Sequence, residues 1–339
     1  MCLHFKHKPL LTAGFLLLCC AGCFPRPVDE SLPEPLSEPE KKLVEMCKKD
    51  YGIDITLRRM ANTLWVYVPT ENPFLYLKVS EDGPKPAQPP DEALAIHFID
   101  ADYQNADGMF TVRYDIGKTK KSTEDDGYSI EYVESFSNLR RQIPTAIGRA
   151  FTDVEENEKT GQMQERVEGD VDYGDSQKQA SHKTLVQSYV KTNPVPDFFV
   201  IVIADIKNGL ESKMIFYFKD LRRGMTDPSF TEEYTRRIIA ENITGNAAII
   251  GDRLGRHVKF DNISWPKFLS KLIAYRVRYK FAMSSNTPSQ EIDKEVLTVT
   301  ATTLDIYPFS RYQGVAMKNL DTGQDFSYRK EDLKPYVSH

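Results

Sequence analysis

Phe198-Phe199-Val200-Ile201-Val202-Ile203, followed by Met214-Ile215-Phe216-Tyr217-Phe218, is the stretch of sequence that decides the fold. Asn208-Gly209 lies between the two apolar runs, and Asn-Gly in that position is a strong signal for a β-hairpin. The runs are continuously apolar rather than alternating, which is typical of strands covered on both faces. We therefore expect a hairpin at the centre of a sheet, with other elements packed on each side of it.

Outward from this hairpin, three further pairs of apolar runs also predict hairpins. They are residues 53–60 with 64–68 across Asn62, residues 94–99 with 109–114, and residues 314–318 with 325–328 across Asp321-Thr322-Gly323. In the second run of the first pair, Leu64, Val66 and Val68 alternate with Trp65 and Tyr67. Both faces of that strand should therefore be covered, as in the central hairpin.

Helices are predicted between these hairpins by apolar spacing and by end signals. The first predicted helix starts after Ser37, which precedes Glu38 and Glu40, and it ends before Gly52. A second covers 130–151, with a kink or break at Pro144. The remaining predicted helices cover 231–241, 264–281 and 289–304. Four hairpins with five or six packing helices indicate an α+β domain with a largely antiparallel sheet.

The segment Ser264 to Phe281 has two interpretations, which differ in where they place Arg276. As a helix, it gathers its apolar side chains on one side, and Arg276 falls within the apolar arc. As a strand over 273–283, it would leave Arg276 in water beside Arg278. The helical spacing from Trp265 to Ile273 favours the helix. An unpaired buried charge is costly, so the helix predicts that Arg276 is buried and paired with a carboxylate.

Residues 153–191 differ in composition from the rest of the body. They are polar and acidic, and apolar side chains are rare before Leu185. Such a segment cannot bury enough apolar surface to order itself, so we predict a mobile acidic segment. The globular domain is expected over 38–339, either as one α+β domain or as two lobes divided by residues 153–191.

Charge and cysteine content limit the partners and the covalent structure. The chain has 44 basic and 49 acidic side chains, a net charge of −5. Residues 1–22 carry Lys6, Lys8 and no acid, so the chain without them has a net charge of −7. This balance argues against nucleic acid as a partner and against adsorption to anionic lipid. Beyond residue 23 only Cys47 remains, so an internal disulfide is excluded.

Residues 1–23 have the organisation of an export signal. Lys6 and Lys8 precede an apolar run at 10–20, and Ala21-Gly22-Cys23 follows. The run is about 11 residues long, whereas a membrane-spanning helix needs roughly 20. Small residues before a cysteine resemble the lipobox of bacterial lipoproteins, a resemblance that covers these 23 residues only. Cys20 stands where that family usually has leucine.

The resemblance implies that 1–22 is a signal peptide, removed after the thiol of Cys23 receives a diacylglyceryl group. Residues 23–37 would then be the lipidated cysteine and a proline-rich tether, able to anchor the domain without a spanning helix. In well-studied lipoproteins an acidic residue after the cysteine retains the protein in the inner membrane. Phe24 stands there, so the resemblance implies the outer membrane, with the domain facing the periplasm. The alternative is an ordinary secretory signal cut after Gly22.

The body offers few candidates for chemistry, and we expect no cofactor. An acidic cluster of Asp100, Asp102 and Asp107 supplies oxygen ligands of the kind that calcium takes, but residues 105 and 111 lack the glycine and glutamate of the helix-loop-helix calcium loop. The sequence leaves two alternatives for this cluster, a calcium site and a solvated turn. The four histidines beyond residue 23 have no zinc spacing; they are His97, His182, His257 and His339. His257, with Asp252 or Asp261 as its partner, is the candidate for a catalytic pair. The alternative is a structural histidine, which is the more frequent role of a lone histidine.

Together these patterns predict a membrane-anchored envelope lipoprotein that acts as a non-enzymatic binding or assembly module. Its partners would be the membrane, through lipid on Cys23, and an envelope protein or polymer. One alternative is an envelope hydrolase or transferase whose site is assembled from distant residues around His257. Another is a lipid-anchored solute receptor, which would need two α/β lobes with parallel sheets.

Overall fold

The computed structural model describes residues 35–79, 92–120, 128–165, 195–283 and 291–338. Ser37–His339 form one compact unit. The described helices are α1 (Glu38–Tyr51), α2 (Glu134–Glu165), α3 (Phe218–Thr226), α4 (Thr231–Arg237), α5 (Trp265–Met283) and α6 (Ile292–Ile306). The described strands are β1 (Thr56–Met60), β2 (Thr63–Thr70), β3 (Leu75–Val79), β4 (Glu92–Gln104), β5 (Met109–Lys120), β6 (Tyr128–Tyr132), β7 (Phe198–Asp205), β8 (Leu210–Tyr217), β9 (Ile239–Ala240), β10 (Thr244–Gly245), β11 (Gly314–Asn319) and β12 (Asp325–Arg329).

The central sheet is built around the hairpin that the sequence predicts. β7 pairs antiparallel with β8, and Gly209 in their turn has a φ of +67°, which glycine adopts without strain. The strand order is β1-β2-β7-β8-β10, and β9 also pairs with β8. β2 and β7 run parallel, so two predicted hairpins are joined by a parallel strand pair into one mixed sheet. The predicted α+β class with largely antiparallel pairing is confirmed.

Both faces of the central sheet are covered, which explains the continuously apolar runs of its strands. Alternate residues of a strand point to opposite faces, and here they enter separate hydrophobic clusters. One face packs on α1, α2 and α3 through Leu64, Val66, Phe199 and Ile201. The other packs on α5, α6 and a second sheet through Trp65, Tyr67, Val200 and Val202. All of these side chains are buried.

The second sheet has the order β12-β11-β5-β4, and both predicted hairpins at 94–114 and 314–328 lie within it. β11 and β5 run parallel. α5 lies along the edge strand β4, where Arg278 Nη2 donates to the carbonyl oxygen of Ile99 at 3.0 Å. β3 and β6 form a separate two-stranded antiparallel pair.

The two helices with the clearest sequence signals form as predicted. At the start of α1, Glu40 accepts a hydrogen bond from the backbone N–H of Ser37 at 2.7 Å, and Gly52 ends the helix with a φ of +67°. α5 is a helix from Trp265 to Met283. The side chain of Arg276 is 11% exposed, and its Nη1 lies 2.9 Å from Glu233 Oε1. The burial and pairing expected of Arg276 are confirmed.

The predicted helix at 130–151 is wrong at both ends. Its first residues form β6, which is paired with the distant strand β3, and α2 runs from Glu134 to Glu165 with Pro144 inside it. A proline removes one backbone hydrogen bond, and the buried side chains around it, Ile143, Ala146 and Ile147, hold α2 in place. The segment predicted to be mobile is helical over 153–165; residues 166–191 lie outside the described residues.

Two elements after β8 also differ from the prediction. The apolar run ending at Phe218 was expected to be strand throughout, but Phe218 begins α3. α4 ends at Arg237 instead of Glu241, because Ile239 and Ala240 pair with β8. Within the described ranges, no helix has both the length and the apolar character needed to cross a membrane.

Candidate functional site

The loop of residues 246–263 crosses the central sheet over β2. Tyr67 donates its hydroxyl to the carbonyl oxygen of Asp252 at 2.5 Å, and Trp65 Nε1 donates to the carbonyl oxygen of Asp261 at 2.8 Å. The backbone N–H of Ile263 donates to Thr63 Oγ1 at 2.8 Å. Residues 63, 65 and 67 alternate along β2 and share one face, so that face fixes the loop at three places.

Two glycines give this loop its turns, as their positions in the sequence suggest. Gly251 has a φ of +73°, and its N–H donates to the carbonyl oxygen of Ile206 at 2.9 Å. Gly255 has a φ of +71° and lies against the ring of Tyr67, where a Cβ would come within 2.9 Å of Cγ. Between these glycines and β10, Ala247–Ile249 form a short 3₁₀ turn.

His257 is the centre of the polar contacts beneath the loop. Its Nδ1 lies 2.7 Å from Asp252 Oδ2, and its Nε2 lies 3.1 Å from Glu211 Oε2 on β8. The side chain is 5% exposed and packs edge-on against the ring of Tyr67. The predicted pairing with Asp252 is therefore present. Asp261 is not part of the group, because its carboxylate pairs with Lys267.

The ionisation of this group follows from burial and hydrogen bonding. Burial alone would raise the pKa of the Asp252 carboxyl, but hydrogen bonds from the ring and backbone of His257 and from the Leu254 N–H outweigh it and hold the pKa below its usual range. Burial, together with the charges of Asp252 and Glu211, raises the pKa of Tyr67. Asp252 is therefore an anion and Tyr67 a neutral donor at neutral pH.

This geometry limits what His257 can do chemically. A general base needs a ring nitrogen within reach of a substrate proton. Both nitrogens face carboxylates, and those carboxylates lie at opposite ends of the ring, so the three groups do not converge on one point. Among the described residues, no group of three or more His, Cys, Asp or Glu side chains could hold a metal ion. The contacts of His257 tie the loop to β8.

Charges of alternating sign continue from Glu211 through Lys213 on β8 to Glu241 and Lys271. Lys213 lies 3.7 Å from Glu211 and 3.6 Å from Glu241, and Lys271 lies 2.7 Å from Glu241. Burial would raise the pKa of Glu241, but the hydrogen bonds and charges of Lys271 and Lys213 outweigh it and lower the pKa. Glu211 carried no sequence signal, because its approach to His257 depends on the return of the 246–263 loop.

The outer side of the same loop forms an open depression of about 520 Å³, lined by residues of the 248–257 turn. Ile250 and Leu254 are 60% and 53% exposed. Arg256 is exposed and makes no hydrogen bond or ion pair with another described residue, whereas Arg253 pairs with Glu71. The depression therefore combines two large apolar side chains and two guanidinium groups with the Asp252–His257 pair, which also lines it.

The acidic cluster predicted as a possible calcium site is not assembled in the described hairpin of β4 and β5. Asp100 pairs with Arg113 on the neighbouring strand. Asp102 is exposed on β4, and Asp107 accepts a hydrogen bond from the Met109 N–H at 2.9 Å within the turn. The three carboxylates thus have separate surroundings.

The remaining candidate residues are not brought together with His257. His97 is exposed at an irregularity in the pairing of β4 with β5. Cys47 is buried, which together with the charge of Asp50 raises the pKa of its thiol to about 11 and keeps the thiol protonated. The predicted lipidation site Cys23, with His182 and His339, lies outside the described residues.

A second polar cluster surrounds Asp220, and of its members the sequence predicts only the burial and pairing of Arg276. Asp220 on α3 accepts hydrogen bonds from Tyr307 Oη at 2.5 Å and from Arg237 Nη1 at 3.0 Å, and Arg237 Nε donates to Glu233 at 2.9 Å. Arg276 of α5 shares Glu233. Burial raises the pKa of Asp220, against the lowering effects of Tyr307 and Arg237. The charges are paired within the cluster, which links α3, α4, α5 and the end of α6.

Comparison of the chain with protein-family models, with curated proteins and with solved structures finds no match.

Proposed function

We propose that this chain is an envelope lipoprotein, anchored in the outer membrane through lipid on Cys23, whose domain is a non-enzymatic binding or assembly module facing the periplasm. The anchor rests on Ala21-Gly22-Cys23 after the basic and apolar segments of the signal. The observation that carries the binding role is the 248–257 turn. It is fixed to the core by hydrogen bonds and holds Ile250 and Leu254 in solvent.

The placement of polar groups supports binding over catalysis. The carboxylates Asp252 and Asp261 of the loop are already paired, Asp252 with His257 and Asp261 with Lys267. The surface that remains is apolar and cationic, which suits recognition of a partner rather than proton transfer. An enzyme built on His257 would first have to break one of its two carboxylate contacts.

Labelling of cells with a radioactive fatty acid, followed by flotation of membranes, tests the anchor. The wild-type chain should carry label and float with membranes, whereas Cys23→Ser should carry none and remain an uncut precursor. Cys20→Leu is the matched control, because it changes the neighbouring cysteine to the residue usual in lipoproteins and should keep the label. Label on the Cys23→Ser chain would overturn the proposed anchor.

A further inference from the structure

We infer that the 248–257 turn is a second membrane contact, in which Arg253 and Arg256 bind the phosphates of anionic phospholipid headgroups while Ile250 and Leu254 enter the membrane interface. The inference rests on the proposed function, since the anchor would place the domain beside a membrane. It assigns that module a ligand chemistry and a defined surface.

The charge of this surface differs in sign from that of the whole chain. Arg253, Arg256 and Lys207 surround it, and Glu71 pairs with both Arg253 and Lys207. Asp252 also lines the depression and offsets one of these charges, while its carboxylate contacts the His257 ring. The chain has a net charge of −5, so it would not adsorb to anionic lipid as a whole, but this turn presents an excess of positive charge.

Arginine suits a phosphate ligand because its planar guanidinium donates two parallel hydrogen bonds to phosphate oxygens. Arg256 has no partner among the described residues, so it can bind without breaking an ion pair. The depression of about 520 Å³ beside it leaves room for a headgroup.

The apolar side chains are held outward on a turn that has little freedom to rearrange. Ile249 is buried beneath it, the Gly251 N–H is bonded to Ile206, and Asp252 accepts from the Leu254 N–H at 3.0 Å. Ile250 and Leu254 are therefore exposed by the shape of the turn. Removing apolar surface from water is favourable, so both side chains gain from an apolar interface.

The size of the surface favours lipid over a protein partner. A stable protein interface buries about 800 Å² on each partner and involves about 20 or more residues, whereas this surface offers two large apolar side chains. A chain already held by a lipid needs only a weak second contact, because the tether keeps the turn at a high effective concentration near the membrane.

Tryptophan fluorescence in vesicles tests this contact on the lipidated chain. Leu254→Trp and Ile250→Trp place a probe in the turn, and Leu320→Trp is the control, since Leu320 is 43% exposed in the turn between β11 and β12. Each chain is reconstituted into vesicles of brominated phosphatidylglycerol, and the wild-type signal from Trp65 and Trp265 is subtracted.

We expect quenching at least about twofold stronger at positions 250 and 254 than at 320, and we expect Arg256→Ser to reduce it. Equal quenching at the three positions, or none, would overturn the membrane contact; absence of quenching is also what docking of the turn on another protein predicts. Co-flotation of each chain with the vesicles is scored separately. A chain that floats without quenching contradicts the contact alone, whereas a chain that does not float contradicts the anchor.

Discussion

At the residue scale, two arginines of α5 separated by one position have different surroundings. Arg276 is nearly buried and shares Glu233 with Arg237, whereas Arg278 is exposed and donates to a backbone carbonyl on β4. Breaking a buried ion pair costs roughly 3–5 kcal/mol. Because Glu233 keeps Arg237, we expect Arg276→Ala to lower the free energy of unfolding by about 2 kcal/mol.

The matched variant Arg278→Ala should cost about 0.5–1 kcal/mol, because an exposed side chain loses one part-buried hydrogen bond. Urea denaturation of both variants and the wild type measures the difference. Equal costs would contradict the role assigned to the Arg276 pair.

The lowered pKa of Asp252 predicts how the free energy of unfolding depends on pH. Its folded pKa is lowered, so its contribution to stability is present above its unfolded value and is lost as the pH falls through the folded value. The unfolded value is near 3.9, so the difference in unfolding free energy between wild type and Asp252→Asn should narrow below about pH 4. Chemical denaturation from about pH 5 to about pH 2 measures this difference and cancels the titration of other carboxyls.

The same measurement in a His257→Gln background tests whether the imidazole is what lowers the pKa of Asp252. The imidazole is the strongest of the groups that lower the pKa of Asp252, so the narrowing should be smaller without it. An unchanged narrowing would mean that His257 does not hold the Asp252 carboxylate.

The sequence predicts some residues of the site but not others. Arg276 could be placed because helical spacing alone puts it within the apolar arc. Asp252 is close to His257 in the chain, so their pairing was also accessible. Glu211 and Asp220 were not, since each meets partners that only the tertiary fold brings near.

At the scale of elements, the 246–263 loop offers a comparison between two glycines. Both Gly251 and Gly255 have a positive φ, so alanine at either position costs about 1–2 kcal/mol of backbone strain. A Cβ at Gly251 would meet no atom within 4 Å, whereas a Cβ at Gly255 would lie 2.9 Å from the Tyr67 ring. We expect Gly255→Ala to cost about 1–3 kcal/mol more than Gly251→Ala, because it also overpacks the core.

Thermal unfolding of the two variants measures this difference. A similar loss of stability in both would mean that the loop does not pack on Tyr67 as closely as the structure has it.

Elements with local signals were predictable, and those that depend on distant pairing were not. The Asn-Gly turn and its apolar flanks indicate the β7–β8 hairpin, and the caps of α1 lie within a few residues of each other. β3 and β6 pair across a long stretch of sequence, and β6 therefore resembled the start of α2. The parallel pairing of β2 with β7 has no local turn to indicate it.

At the scale of the whole molecule, the described domain is an α+β unit whose central sheet is covered on both faces. Hydrogen bonds such as that between Asp252 and His257 hold the 246–263 loop on the core, and its 248–257 turn exposes apolar and cationic side chains. In the proposed function, the lipid on Cys23 holds the domain at the membrane, and this turn carries the binding role.

Mass spectrometry of the N-terminal peptide, from protein extracted from the cell envelope, tests the proposed lipoprotein most directly. We expect a mature chain that begins at Cys23 and carries a diacylglyceryl group on its thiol. A chain that begins at Cys23 without lipid would identify an ordinary secretory signal, and a chain that still begins at Met1 would mean that no signal is removed. Either of these two results would contradict the proposed anchor.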